Sequence, residues 1–62
     1  MTAAEVETVY EALALGIDAA GGESELFLAK VALLLAREIG DPERAVALIE
    51  SAGRHLGDRA AA

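Results

Sequence analysis

Residues Leu26 to Glu38, LFLAKVALLLARE, restrict the possible folds of this chain more than any other stretch. Wound at 3.6 residues per turn, Leu28, Val31, Leu34 and Leu35 cover one half of a helix, while Leu26, Ala29, Leu33 and Ala36 cover much of the other. A helix apolar on two sides needs cover on two sides. The chain has 62 residues, and a domain of that size buries only roughly 60% of the surface its unfolded chain exposes. Small chains usually add a disulfide, a metal or a second chain to such a core. With no Cys and a single His, His55, association is the expected staple.

A bilayer is not the expected cover. The apolar run is interrupted by Lys30 and closed by Arg37 and Glu38, far short of the roughly 20 apolar residues a membrane span requires. Met1-Thr2-Ala3-Ala4-Glu5 places no basic segment before an apolar run, so no secretory signal is expected and a cytoplasmic setting is. Eleven acidic residues against five basic ones give a formal charge of −6. The basic residues Lys30, Arg37, Arg44, Arg54 and Arg59 are scattered. Neither phosphate backbones nor anionic lipid heads are expected partners.

The remaining sequence reads as helix. Hydrophobic residues make up 55% of the chain, with one Phe, one Tyr and no Trp, and most of them are Ala and Leu, which favour helix over strand. Thr2-Ala3-Ala4-Glu5 fits a capping box. Val6, Val9, Tyr10, Leu13, Ile17 and Ala20 then recur every three or four positions, and Gly21-Gly22 ends that helix. Ser24 is the expected N-cap of the second helix, with Glu23 and Glu25 near its positive end. Gly40-Asp41-Pro42 supplies a left-handed C′ residue, an N-cap and an N1 proline in succession. In the third helix Ala45, Leu48, Ile49, Ala52 and Leu56 share a stripe, and Glu50 and Arg54 are spaced as an i,i+4 ion pair. Gly57 is the expected end. The spacing thus predicts an all-α fold, with three helices at about 3–20, 24–39 and 42–56 in a small bundle. The chain reads as a single domain, 1–62, with a frayed tail from about 58.

No catalytic constellation is readable. His55 has Ser51 at i−4 and Ala52 at i−3, a pair without an acid or oxyanion donors, and a surface His near a helix C-terminus is the better reading. Glu7, Glu11 and Asp18 line one flank of the first helix beside the apolar stripe, but helical di-metal sites use Glu-x-x-His pairs and the sequence has none. A solvated face, or an acidic rim meeting a basic patch on a partner, accounts for the row. Gly21-Gly22 and Gly40 follow no strand, so no phosphate loop is expected. Gly16 lies inside the first helix at a cost of about 1 kcal/mol relative to Ala, and with Ala12 and Ala20 it forms a small-residue row suited to close helix approach. Tyr10 and Phe27 read as core residues.

Two segments, Tyr10-Glu11-Ala12-Leu13 and Leu33-Leu34-Leu35-Ala36 followed by Ile39-Gly40-Asp41, resemble a family of very short bacterial proteins of unknown function. In that family Asn-His stands where this chain has Arg37-Glu38, so the most polar pair of the pattern is missing here. The resemblance implies an accessory role, since such proteins tend to be encoded beside flavin-dependent oxidoreductases or aromatic hydroxylases.

The expectation is therefore a non-catalytic small subunit, with no cofactor or metal of its own. It would dock an apolar helical face on a larger protein, by resemblance a flavin-dependent oxidoreductase. The expected docking residues are Leu26, Ala29, Leu33 and Ala36, rimmed by Gly16, Glu7, Glu11 and Asp18. Phe27, Val31, Leu34 and Leu35 are assigned to the intramolecular core. The alternative is a homodimer whose middle helices bury each other, in a structural or regulatory role.

Overall fold

A computed structural model of the chain describes residues 1–54 and Leu56. Helix α1 spans Ala3–Ala20, α2 spans Ser24–Ile39 and α3 spans Pro42–Gly53, with a 3-10 turn at Gly21–Glu23 between the first two. No strand is present among the described residues.

The start of α1 is the capping box read from the sequence. The Thr2 backbone N–H donates to Glu5 Oε1 at 2.7 Å, and the Glu5 N–H donates to Thr2 Oγ1 at 3.1 Å, satisfying two amides that a helix start leaves open. At the other end Gly21 takes φ 56°, ψ −122° while its N–H reaches the carbonyls of Ile17 and Asp18. That backbone region is open almost only to glycine. Winding resumes at once, so α1 and α2 form one bent helical rod of 37 residues. A straight helix of that length would reach about 55 Å, whereas the molecule measures 30 × 30 × 24 Å. The Gly21-Gly22 pair is the site of the bend.

Ser24 does not cap α2. Its backbone is already helical at φ −60°, ψ −34°, and a residue in that conformation lies inside the helix, where an N-cap needs an extended backbone. Glu23 takes the cap position without a side-chain bond. The turn to α3 matches the sequence reading: Gly40 is left-handed at φ 74° and donates to the Ala36 carbonyl. Asp41 accepts from the N–H groups of Glu43 at 3.0 Å and Arg44 at 3.3 Å. Helix α3 ends at Gly53, earlier than expected, because Arg54 turns extended and its N–H bonds back to Ser51. Arg54, the expected i,i+4 partner of Glu50, thus stands at the C-cap of α3. His55, Gly57 and the tail from 58 lie outside the described residues.

The expected core does not close within the chain. Among the described residues no two Cα atoms twelve or more positions apart come within 8 Å. The radius of gyration is 13.4 Å, against about 10 Å for a compact domain of this length. Ala45, at 9% exposure, is the one buried residue among those described. Leu34 and Leu35, assigned to the core from periodicity, are exposed, as is Tyr10 at 73%. Periodicity shows which side chains share a face, and closure by a distant element has to come from elsewhere.

Candidate functional site

Three apolar surfaces follow from this shape. The first is the inner corner of the bend, where Leu13, Gly16 and Ala20 of α1 and Phe27 and Val31 of α2 are half-buried. The Phe27 ring lies over Gly16 so closely that a Cβ there would sit 2.8 and 2.9 Å from its two Cε atoms and closer still to Cζ. The small-residue position in α1 thus admits a close neighbour, and that neighbour is a ring of the same chain. A shallow hollow beside it is lined by Ala20, Glu23, Leu26, Phe27 and Lys30.

The second surface is an open groove between α2 and α3, lined by Ala32, Leu35, Ala36, Ile39, Ala45, Leu48, Ile49 and Ala52. Every lining side chain is aliphatic. The third is a shallow depression on α2, lined by Lys30, Leu33, Leu34 and Arg37. Leu33 is 68% and Leu34 60% exposed, so this leucine pair has no cover among the described residues.

The expected docking residues are distributed over these surfaces. Leu26 and Leu33 lie in adjacent hollows that share Lys30. Ala29 is exposed between them in sequence, while Ala36 is half-buried and lines the α2–α3 groove. Gly16 sits in the corner beneath Phe27. Glu7, Glu11 and Asp18 are exposed along α1. Sequence reasoning missed Leu34 as a companion of Leu33, and it missed Lys30 and Arg37 as lining residues. The signal was present: two basic residues seven positions apart bracket the leucine pair, a spacing that keeps them on one helical line.

Glu5 holds its carboxyl below the usual carboxylate range because the Thr2 backbone N–H, and then the Thr2 hydroxyl, bond to it, a role confined to capping. Among the described residues no three His, Cys, Asp or Glu side chains are grouped to hold a metal ion, and no helix is long and apolar enough to cross a membrane. What the arrangement offers chemically is aliphatic surface, with carboxylates alone on α1 and both signs of charge on α2, Glu25 and Glu38 beside Lys30 and Arg37. Compared with known proteins, the chain matches no family model, no curated protein and no solved structure.

Proposed function

We propose that this chain is a non-catalytic assembly subunit whose helical faces are covered by another polypeptide. The three-helix bundle with a doubly apolar middle helix is then a property of the assembly. One observation carries the reading: the 6.4 kDa chain exposes 5528 Å², whereas a compact monomer of that mass exposes about 3,800 Å². The excess, about 1,700 Å² of polar and apolar surface together, goes with exposed Leu26, Leu28, Leu33, Leu34 and Leu35 on α2, and apolar side chains left open in this way support an interaction site.

Such a subunit either docks on a larger protein, the oxidoreductase that the resemblance implies, or closes on a second copy. Hydrogen exchange tests the shared claim. Amides from Leu26 to Ile39 should be protected in the assembled protein and lose protection on dilution to the isolated chain. Full protection in a monomer at every concentration contradicts it. Between the two partners, the arrangement of charge favours a second copy.

A further inference from the structure

All six carboxylates of residues 1–29, four of them on α1, stand without a basic residue in that segment, whereas residues 30–62 hold five acidic and five basic residues. The first segment is therefore uniformly acidic and the second neutral overall, with Lys30 and Arg37 on α2 accompanied by Glu25 and Glu38. Glu11 and Asp18 on α1 are seven residues apart, and so are Lys30 and Arg37 on α2. Each pair spans about 10.5 Å along its helix. The cations line the same depression as Leu33 and Leu34. The anions stand beside Tyr10 and Ile17, two further apolar side chains that the chain leaves exposed.

Resting on the reading that another polypeptide covers α2, we infer that this polypeptide is a second copy of the chain. Its α1 seats Tyr10 and Ile17 on the Leu33–Leu34 depression, with Glu11 and Asp18 facing Lys30 and Arg37. In a twofold dimer this contact forms twice, since each copy carries both surfaces. A net-negative chain pairs with itself here because the opposed surfaces, rather than the totals, are opposite in sign.

The test is sedimentation of the full-length chain and of two double variants, Lys30→Glu/Arg37→Glu and Glu11→Lys/Asp18→Lys. Each reversal moves the formal charge by two, so the first variant goes from −6 to −10 and the second from −6 to −2. The wild-type chain is expected to sediment as a dimer at tens of micromolar. Each variant alone should dimerise on the order of tenfold to a hundredfold more weakly, with helical content retained. An equimolar mixture should recover the dimer, since both contacts then pair opposite charges. Tightened dimerisation of the second variant, following its reduced net charge, would overturn the pairing. So would a dimer that neither variant weakens. A wild-type monomer that binds a hydrophobic dye and melts without cooperativity would overturn self-pairing while leaving intact the need for a partner. A compact monomer with a cooperative transition would overturn both.

Discussion

The inner corner of the bend and the depression on α2 both draw apolar side chains from α2, Phe27 and Val31 in one and Leu33 and Leu34 in the other, yet only the corner has found a neighbour. Phe27 rests against Gly16, eleven positions earlier, because the Gly21-Gly22 bend folds the rod back far enough for that short reach. Leu33 and Leu34 lie one to two turns further along α2, where α1 has already diverged. A bend supplies local contacts at little loop-closure cost, but it leaves the far face of α2 exposed. The corner is where the chain packs on itself, and the depression is where the proposed assembly would form.

The largest effect that separates the two regions is expected from Leu33→Asp combined with Leu34→Asp. Each leucine contributes about 1.5–3 kcal/mol on full burial. Their loss at two symmetric contacts should weaken association by more than about a thousandfold. Circular dichroism of the dilute, isolated chain should change little, since neither side chain is packed in it. Collapse of that signal would mean that the depression belongs to the folding unit.

Phe27→Ala acts on the other region. The ring is half-buried, so the loss should be about 2 kcal/mol, roughly half that of a fully buried Phe. It should appear as lower helicity of the isolated chain. A change confined to association would place Phe27 at the interface instead.

Gly16→Ala tests the corner through its sign. The new methyl meets the Phe27 ring, and overpacking of about 1–3 kcal/mol exceeds the helix-propensity gain of about 1 kcal/mol, so the change should destabilise. With Phe27→Ala already present the obstruction is gone, and the same substitution should stabilise by about 1 kcal/mol. Additivity of the two changes in a thermal-melt cycle would show that the ring and the glycine do not meet.

The smallest effects lie at the helix starts. Asp41→Ala should cost α3 about 1 kcal/mol, read by circular dichroism. The Glu5 carboxyl titrates below its ordinary range in the folded chain, so its contribution is present above the unfolded-state pKa and is lost as pH falls through the lowered folded value. Helicity of α1 should therefore drop on acidification below the usual carboxylate range, and Glu5→Gln should flatten that part of the profile.

Local features were readable from residue order because they are settled within a turn or two. Thr2 and Glu5 find each other three positions apart, Gly40 and Asp41 set the second turn, and the α1 and α2 boundaries follow. Ser24 was misread because the glycine pair bends the helix without stopping it, leaving no extended residue to act as a cap. Gly53, inside an apolar stripe that continues to Leu56, gave no warning that α3 would stop there. The core half assigned to α2 was too wide for a different reason: Phe27 and Val31 are half-buried, whereas Leu34 and Leu35 are exposed. Periodicity groups Leu34 and Leu35 with Phe27 and Val31, but which of them is covered depends on where α1 and α3 lie, and local spacing holds no record of that. Lys30 and Arg37 were read as scattered charge, although their seven-residue spacing already brackets Leu33 and Leu34 on one helical line.

The central claim is that the missing core lies between chains, and the concentration dependence of thermal unfolding tests it most directly. Melts of the wild-type chain followed at 222 nm over a hundredfold range of concentration should show a midpoint that rises by several degrees, because mass action stabilises a fold completed by a second chain. A cooperative midpoint that stays fixed across that range, with a monomer mass throughout, would contradict it.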